Sequence, residues 1–165
     1  MFRHPTSFVI AAVVLVAPGL AAAQETQVAF AGLQASVGEP VEVTANQLVI
    51  SREQTQAVFS GDVLVVQGGL RMSADLLTVE YAEADRTRIE TLIAEGHVLM
   101  STPAEAAQAS RAVYALSTRS LEMTGEVLLT QGGNVMSGQK LTVDLTAGTG
   151  RMDGRVKTIL QPSGN

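Results

Sequence analysis

Cysteine is absent from the 165 residues, and so is tryptophan. The first absence rules out a disulfide framework and any thiolate metal site. The second, with aromatics at only 4%, leaves medium aliphatic side chains to fill whatever core the chain builds. Histidine occurs twice, as His4 and His97. That is too few for a His-rich metal site, and only His97 could partner a serine nucleophile in the folded part. Basic residues are also scarce, 11 Lys plus Arg against 16 Asp plus Glu, for a net charge of −5. An acidic chain with few aromatics and no basic stripe is not suited to nucleic acid. Gly148-Thr149-Gly150 lacks a following Lys-Ser/Thr and an ensuing helix, so it is not a phosphate loop.

What is plentiful is Val, Leu, Thr and Gly, the composition of half-buried strands. Phe59 to Tyr81 reads as two strands joined by a tight turn. Val63 and Val65 alternate with Leu64 and Val66, Gly68-Gly69 supplies a hairpin turn, and Leu77, Val79 and Tyr81 resume an alternation. The unit returns at Met123 to Leu145, with Gln-Gly-Gly in the same place, and more loosely at Ala94 to Leu116. A Gly-x-Val marks each first strand, at Gly61, Gly96, Gly125 and Gly154. A small residue opens each second strand, at Ala45, Ala74, Ala109 and Gly138. The spacing predicts a period of 29 residues with one six-residue insertion between Tyr81 and Gly96. Such a period signals stacked supersecondary units. The charged stretch Ala82 to Arg88 reads as a solvated loop at that insertion.

The apolar parity flips within each second strand. Met72 and Ala74 share one parity, Leu77 and Val79 the other; Met136-Gly138 against Leu141-Val143 repeats the pattern. A flip of this kind needs a bulge or corner. With corners allowed, one face collects Val63, Val65, Leu77, Val79, Tyr81, Val98, Met100, Tyr114, Val127, Leu129, Leu141 and Val143. These are the candidate site residues. Their face is either a plain hydrophobic core or a slot for acyl chains. Thr102-Pro-Ala-Glu105 matches a helix capping box. The repeat spacing instead makes it a turn leading into a strand.

The N-terminus follows a separate pattern. A polar start is followed by nine apolar residues, Phe8 to Val16, then Pro18-Gly19 and the small residues Ala21 to Ala23. This is the form of a signal peptide over 1–23. A lead-in over 24–40 and a tail over 163–165 would flank the folded part, 41–162. No catalytic constellation emerges. Asp62, Asp75, Glu126, Asp144 and Asp153 recur beside expected turns, where carboxylates are ordinarily solvated. His97 takes the place of Asp62 and Glu126 in its own copy. No metal site, cofactor or enzyme activity is expected. The competing class is a secreted enzyme or structural repeat on a β-solenoid, where paired carboxylates could serve glycoside hydrolysis.

Phe59 to Asp75 (FSGDVLVVQGGLRMSAD) and Leu121 to Gly138 (LEMTGEVLLTQGGNVMSG) resemble the signature of the OstA-like domain, and Arg155 to Pro162 (RVKTILQP) resembles the closing strand of the LptA family. The resemblance spans about Val41 to Pro162. It implies an all-β fold, an open antiparallel β-jellyroll of stacked hairpins. It also implies a periplasmic carrier of lipopolysaccharide between inner and outer membrane. The implied partners are lipopolysaccharide, an LptC-like protein at one edge, an LptD-like protein at the other, and further copies head to tail. An LptC-like component that keeps its N-terminal anchor is the alternative within the family. Open sheets leave unpaired edges, and Val41 and Val43 at the first strand, with Val156, Ile159 and Leu160 at the last, are the candidate partner edges.

Overall fold

The computed structural model describes residues 28–29, 39–51, 53 and 55–161. The signal peptide (1–23), most of the lead-in (24–40) and the tail (163–165) expected from sequence lie outside the described residues. Every regular element described is a strand: β1 (Val28–Ala29), β2 (Glu42–Thr44), β3 (Gln47–Ser51), β4 (Gln56–Gln67), β5 (Leu70–Tyr81), β6 (Ile89–Ser101), β7 (Glu105–Ala115), β8 (Ser120–Gln131), β9 (Asn134–Asp144), β10 (Thr149–Asp153) and β11 (Lys157–Ile159). They form one antiparallel sheet in which β4 to β9 pair in sequence order. This is the all-β, open antiparallel architecture expected.

Hairpin chemistry sets the register. β4 and β5 meet at Gly68, and β8 and β9 at Gly132, each with positive φ (55° and 57°). Glycine is favoured at such a turn position because it carries no Cβ to clash. The Thr102 turn joins β6 to β7. Its hydroxyl accepts from the backbone N–H of Glu105 at 3.2 Å, while its own N–H donates to the Glu105 carbonyl at 2.8 Å. Half of the capping-box pattern is thus realised, but a strand follows, as the repeat spacing predicts. The insertion 82–88 is a loop in which the Ala82 N–H donates to the Arg88 carbonyl, Asp85 bonds through its backbone to both Ala82 and Arg88, and Thr87 donates twice to the Asp85 carboxylate. Those two hydrogen bonds hold the Asp85 carboxyl below its usual value.

The strand limits differ from the sequence expectation. Gly61, Gly96 and Gly125 do not begin strands; they lie in the middle of β4, β6 and β8. Ala74, Ala109 and Gly138 likewise sit within β5, β7 and β9. Each long strand is one element interrupted by a bulge. In β4, Ser60 pairs with Leu76 and Val63 with Ala74, so Gly61 and Asp62 together oppose Asp75 alone. Both residues of each such pair are left-handed: Gly61 and Asp62 at 76° and 49°, Gly96 and His97 at 76° and 47°, Gly125 and Glu126 at 84° and 51°. Gly154 and Arg155 repeat this between β10 and β11 at 81° and 47°. A Gly-Asp pair reads as a turn in sequence because a hairpin turn uses the same dihedrals.

Aligned across neighbouring strands, these bulges make a crease. It divides every long strand into two halves. At the N-terminal edge, β3 pairs with the first half of β4 and β2 with the second. At the C-terminal edge, β10 pairs with the second half of β9 and β11 with the first. The sheet has a predominantly apolar inner face, with Leu77, Met123, Leu141 and Val143 completely buried. No helix is described that could cover that face. A sheet must bury its apolar face against another layer, so this one folds along the crease and its two halves become facing walls. The small residues expected at corners do sit there, inside the core. The outer face carries cross-strand ion pairs, Arg111 with Glu95 at 3.4 Å and Lys140 with Glu122 at 2.7 Å.

Candidate functional site

Inward alternation brings all twelve candidate residues to the space between the walls. Val63, Val65, Leu77, Val79, Val98, Met100, Val127, Leu129, Leu141 and Val143 are buried, and Tyr81 and Tyr114 are partly buried against them. Val65, Met100 and Tyr114 of that set line a gap between the walls. They share a narrow slot of about 30 Å³ with Gln67, Leu70, Met72, Leu92, Leu121 and Leu145. The other nine do not line it. Sequence alternation finds the face, but which members stand opposite a gap depends on how the walls meet.

The slot is almost wholly apolar. Its one amide, Gln67, directs its Nε2 to the Glu39 carbonyl at 2.9 Å and so spends its donor on the chain itself. The Tyr114 hydroxyl is pushed above its ordinary pKa by burial, against a smaller opposing pull from Arg119. At about 30 Å³ the slot has room for only a few waters. An acyl chain entering it must part the walls.

Outside the slot, the side chains capable of chemistry are dispersed along the outer side of the crease. His97 Nδ1 lies 2.8 Å from Asp75 Oδ2, with the imidazole 92% exposed. Asp62 accepts from Asn46 Nδ2 at 3.0 Å. Among the described residues no cluster of His, Asp and Glu could hold a metal ion.

The residues at the two edges differ in exposure. Val41 and Val43 are half-buried against the core rather than presented outward. Val156, Ile159 and Leu160 are exposed. The exposed apolar stretch at the N-terminal edge is instead β3, where Leu48, Val49 and Ile50 are 48%, 53% and 66% exposed. β3 is not among the edge residues expected from sequence, because the exposure of an edge strand depends on what lies beside it. An apolar triplet with no polar partner between its members was the available signal. A second edge feature is β1, whose Val28 pairs with Gly150 and Ala29 with Thr149. Two residues of the stretch read as lead-in, Val28 and Ala29, therefore lie along β10.

Residues 42–149 match the family model described as LptA/(LptD N-terminal domain) LPS transport protein. The chain belongs to this LptA/LptD N-terminal domain family. Its matched segment runs from β2 to the start of β10, covering both walls. An uncharacterised protein of Rhizobium meliloti is 32% identical over 155 residues, covering 86% of this chain and 82% of that one. The lipopolysaccharide export system protein LptH of Pseudomonas aeruginosa is 23% identical over 160 residues, covering 87% and 91%. The crystal structure of LptH, described as the LptA homologous periplasmic component of the lipopolysaccharide transport device of that organism, superimposes with a TM-score of 0.69. It shares 18% identity and covers 77% of this chain and 99% of that one, so the likeness establishes a common fold.

Proposed function

We propose that this LptA-family protein is a non-enzymatic carrier in the periplasm that shields lipopolysaccharide acyl chains between its two walls on their way from the inner to the outer membrane. The observation that carries the reading is the slot: aliphatic side chains from both walls, with a single amide already committed to the backbone. The driving force is apolar burial. Each CH₂ removed from water is worth about 0.8 kcal/mol, so a chain of ~12 carbons left in water costs roughly 10 kcal/mol. A carrier needs no reaction for this, only walls that part and close. A signal peptide over 1–23 would deliver it to that compartment.

The edges supply a path between copies and partners. β3 and β11 each pair on one side only and carry exposed aliphatics, so further strands can add to them. Contact of one edge with the other is heterologous, and it can continue head to tail or end on an LptC-like or LptD-like neighbour of the same fold. Glu39 and Glu42 beside the first edge face Arg155 and Lys157 beside the last in such an arrangement. Exposed pairs of this sort contribute about 0–1 kcal/mol each, enough to favour a polarity. The decisive experiment is organic extraction and mass spectrometry of mature protein purified from its own envelope. Lipopolysaccharide should co-purify in near-stoichiometric amount. Protein that emerges folded and free of lipopolysaccharide from a producing strain would overturn the reading.

A further inference from the structure

We propose that Glu105 forms a polar subsite at the rim of the slot, accepting a hydrogen bond from a hydroxyl or amide N–H carried on a bound acyl chain. The inference rests on the lipid-slot reading above and names the lipid chemistry that the slot selects.

Three inward positions at the hairpin ends of one wall are polar: Gln67 closing β4, Glu105 opening β7 and Gln131 closing β8. Glu105 is only 8% exposed and continues the inward row of Ala107 and Ala109. Its Oε1 accepts from Gln131 Nε2 at 3.0 Å, across a directly paired position. Its Oε2 is buried without a protein partner. The backbone fixes the residue in place, because both its N–H and its carbonyl are bound to Thr102.

A half-satisfied buried carboxylate is a poor structural choice, since each unpaired buried oxygen keeps its desolvation penalty. The repeat provides an internal comparison. In the other copies the residue opening the equivalent strand is Leu70 or Asn134. Leu70 lines the slot, so an aliphatic residue is compatible with this place in the fold. Glu105 is therefore a departure that the packing does not require.

Beside it lies a cavity of about 10 Å³, bordered by Met100, Ser101, Thr102, Ala106, Ala107 and Leu129. That is near the smallest space able to hold one water-sized group. Met100 also lines the slot, so one flexible thioether separates the two spaces. A ligand hydroxyl passing Met100 would enter the small cavity that Glu105 borders, and a turn of the carboxylate toward it would let Oε2 accept the missing hydrogen bond. An ionised carboxylate only accepts, so the subsite favours donors and disfavours phosphate or carboxylate head groups at this end. The lipid is thereby given a direction as well as a place.

The test is displacement of a fluorescent naphthylamine from the full-length mature protein. The competitors are two neutral lipids: the methyl ester of a saturated fourteen-carbon acid and that of its 3-hydroxy derivative. Hydrogen bonds to charged groups predict about a tenfold preference for the hydroxylated ester. Glu105→Leu should bring the two within about twofold while leaving the plain ester bound at least as well as by wild type. Glu105→Gln, which keeps the shape, should retain a reduced preference of about threefold and controls for folding of the leucine variant. If wild type binds both esters equally, or Glu105→Leu keeps the preference, the subsite is refuted and the slot stands. If neither ester displaces the probe, the slot reading fails and the subsite with it.

Discussion

Replacing Gly125 with alanine tests whether the crease is a backbone device. The residue lies mid-strand at φ 84°, and an added Cβ would stand 2.7 Å from both Cβ and Oγ of Ser110 on β7. A left-handed non-glycine costs about 1–2 kcal/mol. Overpacking at that distance adds about 1–3 kcal/mol. Loss of glycine's unfolded-state freedom returns about 0.5–1 kcal/mol. The net is roughly 3 kcal/mol, or a fall in Tm of about 6–12 °C for a chain of this size. Thermal melts followed by far-UV circular dichroism would measure it. Ser110→Gly in the same chain removes the steric part and leaves the dihedral part. The double-mutant cycle should therefore show coupling of about 1–2 kcal/mol. A Gly125→Ala protein within about 1 kcal/mol of wild type, or a cycle with no coupling, would refute the assignment of the bend to this glycine.

Burial raises the Glu105 carboxyl above its ordinary pKa of 4.5, with a smaller opposing effect from the Gln131 bond. Folded protein then holds this proton to higher pH than unfolded protein, so the contribution to stability is full below about 4.5 and lost as pH rises through the folded value. Urea titrations across that window should show the decline in wild type and not in Glu105→Gln, which is expected to be the more stable of the two at pH 7. Val143→Glu places an unpaired charge at a position with no solvent exposure; it should lose several kcal/mol of stability and its lipid, and normal loading in a folded variant would contradict the face assignment. His97→Ala, Asp62→Ala and Glu126→Ala, made singly, should each load lipid at the wild-type level, as measured by co-purified lipid per protein. In sedimentation experiments against concentration, a chain ending at Gly154 lacks β11 and should remain monomeric. A chain starting at Gly32, without β1, should associate at lower concentration than wild type because Thr149 and Gly150 on β10 are uncovered.

Much of this was legible from the residue order. Recurrence of Gly-x-Val every 29 residues and the parity flip around Ala74 and Gly138 report backbone geometry, which local sequence encodes directly. Strand limits were misread because the left-handed pair Gly61-Asp62 has a hairpin turn's dihedrals, and only the pairing of β4 with β5 on both sides of the bulge shows that the strand continues past it. The slot was harder. Val65 and Val63 alternate identically along β4, yet only Val65 lines the slot, a distinction set by the separation of walls far apart in sequence. Glu105 looked like part of a solvated turn. Its burial follows from the inward phase of β7, which begins two residues earlier than Ala107 requires. β3 was passed over because exposure at a sheet edge depends on what lies beside the strand, not on the strand itself.

The crease has a consequence for how such a protein can vary. Its bend is produced by Gly61, Gly96, Gly125 and Gly154, which have no side chains, and by Asp62, His97, Glu126 and Arg155 at left-handed dihedrals. None of these eight residues borders the slot. Shape and lining are thus written on separate sets of residues. Substitutions among Leu70, Met72, Leu92 and Leu121 can retune which lipid fits without disturbing the fold, and changes along the crease can alter the angle between walls without touching the lining. A lineage facing a new lipid can therefore explore the interior one aliphatic at a time while the scaffold that holds it stays fixed.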